Sequence, residues 1–167
     1  MTDIRVASVQ DLPALHALVE RAYRGDSARG GWTHEADLLD DNRTSVAELE
    51  RVLADPSNRL LIAQRGDAFI GTVTITRRND DVAYLGMLCV DPALQAGGLG
   101  RMLIAQAEER ARQDFGAKRM EMTVVAPRTE LIAYYERRGY AQTGEIRPFP
   151  VPEFDHLTMV VLEKALG

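Results

Sequence analysis

An apolar run, Val82–Val90, leads at once into a turn crowded with glycine and then into a long helical pattern. That succession constrains the fold more than any other feature. VAYLGMLCV carries no charge, as a central strand covered on both faces requires. Asp91-Pro92 ends it. Over Leu99–Phe115 the pattern turns helical, with Leu99, Leu103, Ala107 and Ala111 recurring every four residues. Gly116 is the expected stop. A buried strand feeding a helix through a tight turn belongs in an α/β layer.

The rest of the chain fits around this unit. Residues 4–8 read as a strand and 11–24 as a helix with Asp11 as N-cap. Residues 25–45, rich in Gly, Ser and Asp, form a loop too long for a neutral connector. Residues 45–55 read as a second helix capped by Ser45. Residues 59–78 are two β-prone runs flanking Arg65-Gly66-Asp67, a hairpin signal. A strand at 119–126, a helix at 129–138 stopped by Gly139, and strands at 140–147 and 156–163 complete the order β-α-α-β-β-β-α-β-α-β-β. This is an α/β fold in the α+β sense: one central mixed sheet of about seven strands, flanked by about four helices. No repeat or linker divides the 167 residues, so one domain over 1–167 is expected.

Gly97, Gly98 and Gly100 lie between strand and helix. They remove side chains where a backbone must approach a ligand, and they permit positive φ. The amides there converge on a helix N-terminus, where first-turn donors lack partners and the dipole is positive. Phosphate oxygens bind at such places, and Arg101 adds a cation. The loop lacks the Gly-Lys-Ser/Thr end of a Walker A motif, and a G-x-G-x-x-G reading fails at Leu103. A plain strand-to-helix turn explains one glycine, but not three.

Gln95-Ala-Gly-Gly98-Leu-Gly100, after a strand ending in Val-Asp-Pro, resembles the Q/R-x-x-G-x-G/A signature of the GNAT superfamily (Gcn5-related N-acetyltransferases). Tyr135-Glu-Arg-Arg-Gly139-Tyr140 is similar to that family's Y-E-x-x-G-F/Y element. Spacing and element order agree, so the resemblance covers about the whole chain. It implies a GNAT-like acyl-CoA N-acyltransferase fold and transfer of an acetyl group from acetyl-CoA, as co-substrate, to a primary amine. It implies that backbone groups of Leu88, Cys89 and Val90 pair with the pantetheine arm. Backbone amides of Gln95, Ala96, Gly97, Gly98, Leu99 and Gly100, with Arg101, would hold the pyrophosphate, and Tyr135 would protonate the departing thiolate. Relatives often carry Asn where this chain has Arg128, a residue suited instead to a cofactor phosphate.

The remaining candidates are read from residue type. Tyr135 follows Leu131 by one helical turn and can face inward, whereas Tyr134 reads as packing. Cys89, the single cysteine, sits in an apolar strand where thiols are buried and inert. For the general base, Glu35 in the Trp32-Thr-His-Glu35 loop is preferred, with Glu121 and ordered water left open. Trp32, Glu35 and Phe149 are expected to line the acceptor pocket. His16, His34 and His156 are scattered and give no metal-ligand spacing. A non-catalytic acyl-CoA sensor and an interaction module that keeps only the fold remain alternatives.

Net charge is -5 with a pI near 5.2, which argues against broad binding to nucleic acid. Residues 1–60 are net acidic and 101–140 net basic, as a cationic amine on one side and a phosphorylated cofactor on the other would favour. No apolar run approaches the roughly 20 residues a membrane span needs, and no secretory pattern opens the chain. A cytoplasmic protein meeting a small-molecule or peptide amine is expected. The oligomeric state is not readable, although homodimers are the commonest assemblies.

Overall fold

The computed structural model describes residues 2–27, 45–148 and 157–167, apart from the side chains of 23–27 and 95–97. Strands β1 (Thr2–Val6), β2 (Asn58–Arg65), β3 (Ala68–Arg77), β4 (Val82–Val90), β5 (Arg119–Val125), β6 (Ala141–Pro148) and β7 (Thr158–Ala165) form one sheet in the order β1-β2-β3-β4-β5-β7-β6. All neighbours pair antiparallel except β4 and β5. Among the described residues four α-helices flank the sheet: α1 (Leu12–Ser27), α2 (Val46–Ala54), α3 (Leu99–Phe115) and α4 (Thr129–Arg137). The seven strands, four helices and their order match the sequence reading.

Local chemistry explains the boundaries. Ser8 and Asp11 form a capping box ahead of α1, and the Ser45 hydroxyl accepts from the Glu48 amide at the start of α2. Gly66 turns the β2–β3 hairpin at φ 60°, and Gly116 ends α3 at φ 63°. Helix α1 continues to Ser27, past the expected end at 24, and β7 starts two residues later than expected. Such drift is ordinary where a helix frays or a strand ladder begins.

Two layers of core separate the faces. Leu99, Leu103, Ile104, Ala107 and Ala111 of α3, with Ile132 and Tyr135 of α4, pack on Val73, Ile75, Ala83, Leu85, Met120 and Met122. On the other face Leu12, Leu15 and Leu18 of α1 and Leu49 of α2 cover Leu60 and Ile62. Burying each such side chain stabilises by about 1.5–3 kcal/mol before entropy is counted. Alternation along β3 sends Val73 and Ile75 to the α3 side. It sends Thr72, Thr74 and Thr76 to the α1 side.

Two features of β4 depart from the expected uninterrupted strand. Thr72 opposes Cys89 while Thr74 opposes Gly86, so β4 carries one extra residue between them. This bulge holds Met87 at φ 48°, the one positive φ outside glycine among the described residues. Beyond β4, residues Pro92–Gly97 form a 3-10 helix capped by the Asp91 carboxylate, which accepts from the Ala93 amide.

Candidate active site

Strands β4 and β5 pair over only three rungs: Val82 with Arg119, Ala83 with Met120, and Tyr84 with Glu121. Beyond Tyr84 they part. Residues 85–90 of β4 therefore have no β5 partner, and this splay runs about 20 Å at roughly 3.3 Å per residue.

The free edge of β4 presents defined groups. The Asp91 amide donates to Ile70 O of β3 at 2.8 Å. The Cys89 carbonyl lies against Gly71, 3.2 Å from where a Cβ on that glycine would stand. The two faces of a peptide unit point opposite ways, so the Val90 N–H and C=O both face the splay, as does the Leu88 C=O. Cys89 turns its own carbonyl to β3, and its buried side chain packs with Val19 and Ala22 under α1. Of the three residues expected on this edge, Leu88 and Val90 present carbonyls to it and Cys89 does not.

The splay leads to the glycine turn. Gly98 adopts φ 78° with open space around it, so its role is conformational. The first bond inside α3 runs from the Met102 amide to Gly98 O, leaving the Leu99, Gly100 and Arg101 amides as first-turn donors without helical acceptors. The Leu99 side chain is buried in the core and Arg101 is exposed. Gly71 lets α3 settle onto the sheet: a Cβ there would stand 2.8 Å from Leu103 and 3.3 Å from Leu99. Gln95, Ala96 and Gly97 close the 3-10 helix just before this terminus.

Gly100 has a different role. A Cβ on it would lie 2.9 Å from the Tyr134 hydroxyl. Tyr134 thus reaches from α4 to the N-terminus of α3, with the Arg138 guanidinium 5.1 Å over its ring. As expected, Tyr134 packs against the core, while its approach to Gly100 on the neighbouring helix leaves no mark in the sequence spacing. Tyr135 lies on the inward face of α4 at 7% exposure, edge-on to Tyr134 at 5.4 Å and to Tyr140 at 6.3 Å. Tyr140 donates to Glu108 at 2.9 Å. Burial, then the Glu108 charge, push its phenol far up, so it stays protonated as a structural tie.

The α1 face of the splay is polar. Glu121 is 5% exposed and receives the guanidiniums of both Arg78 and Arg147. Arg147 also donates to Glu145 at 2.8 Å, and the pairing holds the Glu145 carboxyl below the usual range. Tyr84 and Thr123 join across the parting strands, their oxygens 2.6 Å apart. Arg128 lies just before α4, its side chain 15% exposed, and donates to Glu130 at 2.7 Å, holding that carboxyl low. Trp32, Glu35 and Phe149 lie outside the described residues. Among the described residues no cluster of His, Cys, Asp or Glu could hold a metal, and no helix is long and apolar enough to cross a membrane.

Comparisons with known proteins agree with this geometry. The sequence pattern of the acetyltransferase (GNAT) family matches residues 13–140. The chain is 31% identical over 118 residues to acetyltransferase Atu2258 of Agrobacterium fabrum, spanning 61% of this chain and 82% of that one. It is 34% identical over 74 residues to the blasticidin-S acetyltransferase of Streptomyces morookaense, 44% of this chain and about half (53%) of that one. In fold it is similar to PaiA N-acetyltransferase of Thermoplasma acidophilum, solved with coenzyme A, at TM-score 0.78 and 16% identity, covering 99% of both chains. It is also similar to the ribosomal-protein-S18-alanine N-acetyltransferase of Escherichia coli, at TM-score 0.75 and 19% identity, covering 100% of this chain and 95% of that one. The sequence pattern, the relatives and the splayed sheet converge: the chain belongs to the acetyltransferase (GNAT) family, the acetyl-CoA-dependent N-acetyltransferases.

Proposed function

We propose that this protein acetylates a primary amine, on a small molecule or a peptide, with acetyl-CoA held along the free edge of β4. The observation that carries the reading is that edge: six residues of β4 without a β5 partner, leading to the N-terminus of α3. An extended arm bearing amides fits the first, as an added strand would, and a diphosphate fits the second.

Acetyl-CoA, when bound, supplies an acetyl thioester open to direct reaction with the amine, without a covalent enzyme intermediate. The chain's own residues do the holding. Leu88 C=O and Val90 N–H and C=O align the arm. The Leu99, Gly100 and Arg101 amides, with the Arg101 guanidinium, bind the diphosphate, and the turn from Gln95 through Ala96 and Gly97 to Gly98 shapes that cradle. Arg128, at the start of α4 and paired with Glu130, is the residue type suited to a second phosphate contact. Tyr134 Oη stands at the α3 terminus, and Tyr135 Oη supplies the proton to the departing sulfur as the C–S bond breaks, while the amine gives up its surplus proton to water. Holding both partners in register is the larger part of the catalysis.

Calorimetric titration with acetyl-CoA tests the reading, using the unaltered protein and a Gly98→Val/Gly100→Val variant whose folding is checked by its melt. Micromolar binding lost in the folded variant is expected, together with coenzyme A release when amines are added. Absence of binding by the unaltered, folded protein would end the acetyltransferase reading. Binding without turnover of any amine would favour an acyl-CoA sensor instead.

A further inference from the structure

The C-terminal end of α4 carries a guanidinium that the cofactor reading does not use. Arg138 is the C-cap of α4 and is half-buried. Its guanidinium lies over the Tyr134 ring, 5.1 Å from the centroid, and the Tyr134 hydroxyl stands against Gly100 in the first turn of α3. Tyr135, edge-on at 5.4 Å, holds the Tyr134 ring from another side. Arg138 is thus kept one phenol ring away from the turn assigned to the diphosphate.

Two ordinary roles leave this placement unexplained. A cation near a helix C-terminus answers the last carbonyls, but Arg137, exposed on the same turn, is equally available for that. An acid could anchor the side chain, yet Glu108 is engaged by Tyr140 and Lys164, and Glu130 by Arg128 at the opposite end of α4. Among the described residues the contact that orients Arg138 is the Tyr134 ring. A guanidinium held against a ring keeps most of its N–H donors for another acceptor, and a phosphate matches their planar fork.

Coenzyme A carries phosphate in two places. A diphosphate joins the pantetheine arm to the ribose, and a phosphomonoester sits at the 3′ position of that ribose. One sugar ring separates the two groups, as one phenol ring separates Arg138 from Gly100. A phosphomonoester bears about 1.5–2 negative charges at pH 7, so a guanidinium beside it counts for much.

We propose that Arg138, positioned by Tyr134, binds the ribose 3′-phosphate of acetyl-CoA and sets a preference for the full cofactor over its 3′-dephospho form. This rests on the acetyl-transfer reading and deepens it. The first-turn amides of α3 and Arg101 hold the diphosphate, and Arg138 takes the phosphomonoester on the α4 side of the same turn.

The test is calorimetric titration with coenzyme A and with 3′-dephospho-coenzyme A. It compares the unaltered protein with Arg138→Gln and Arg137→Gln, the folding of each checked by its melt. The unaltered protein should bind coenzyme A about tenfold tighter than the dephospho form, the worth of hydrogen bonds to a charged group. Arg138→Gln should weaken coenzyme A about tenfold and the dephospho form by less than about twofold, so that the preference disappears. Arg137→Gln removes the same charge one residue away and should leave the preference intact. A merely structural role for Arg138 would weaken both ligands alike, and that result would overturn the proposal. So would equal affinity of the unaltered protein for the two ligands, or an equal loss of preference in Arg137→Gln. Binding of neither ligand would instead strike the acetyl-transfer reading beneath it.

Discussion

Replacing Gly100 by alanine should change sign in effect according to what stands at position 134. Gly100 lies in the first turn of α3 and has no positive φ, so alanine suits its backbone and gains up to about 1 kcal/mol of helix propensity. Against this, the new methyl would stand 2.9 Å from the Tyr134 hydroxyl, closer than real Cβ contacts allow. The ring cannot retreat freely, since Arg138 lies 5.1 Å over it and Tyr135 meets it edge-on at 5.4 Å. Forced repacking of this kind costs about 1–3 kcal/mol. The net result in the unaltered protein is a loss of up to about 2 kcal/mol.

In a Tyr134→Phe background the oxygen is gone. The next atoms, the ring carbon at position 134 and Val90, stand at 3.9 Å, an ordinary contact. Alanine should then stabilise by its propensity alone. The difference between backgrounds is a coupling of about 1–3 kcal/mol, read as about 2–4 °C of melting temperature per kcal/mol in a domain this size. Thermal melts of the four proteins without ligand measure it. Gly98→Ala is the control: it pays about 1–2 kcal/mol for its left-handed φ and meets no atom within 4 Å, so it should add independently of residue 134. Additivity of Gly100→Ala with Tyr134→Phe within about 0.5 kcal/mol would refute the contact.

Two further expectations follow from the charged groups. Glu121→Gln leaves two guanidiniums without their buried counter-charge; Arg78 is 43% exposed and Arg147 24%, so the loss should be about 2 kcal/mol rather than the 3–5 of a fully buried pair, read in a denaturant melt. Asp11, held by Arg5 at 2.7 Å and by the Ser8 amide at 2.8 Å, has its carboxyl well below the usual range. Its stabilisation is therefore present above the ordinary carboxylate pKa of about 4 and is lost as the pH falls below that toward its folded value. Asp11→Asn should be less stable at pH 7 and show a shallower decline between pH 4 and 2, and an unchanged acid slope would refute the assignment.

The elements were legible because each carries its own punctuation. Gly66 and Gly116 mark turns by φ, Ser45 marks a cap, and the four-residue spacing from Leu99 to Ala111 marks a helix whose buried face is that set. The turn was legible too, since glycine density is a local property. The bulge at Met87 was not, because an extra residue in a strand shows only in its register against a partner. The Tyr134–Gly100 approach and the pairing of Glu121 with Arg78 and Arg147 were illegible for the same reason. They join residues 26 to 43 positions apart, through packing that periodicity does not record.

The parted strands pose a physical problem that the chain resolves on both faces. A free strand edge invites pairing with any extended chain, which is a hazard for a folded protein. Here the unpaired ladder is short and is bounded at each end. Tyr134 approaches the α3 N-terminus at the outer end, and the Tyr84–Thr123 crossbar closes the inner end. On the α1 face Arg78, just past β3, and Arg147 of β6 hold Glu121 from either side, where only three β4–β5 rungs join the two halves of the sheet. An edge of six residues, bounded at both ends, offers an added protein strand only a short ladder to pair with. The unpaired backbone that would be a liability on a long outer edge is limited here because side chains bound it at both ends.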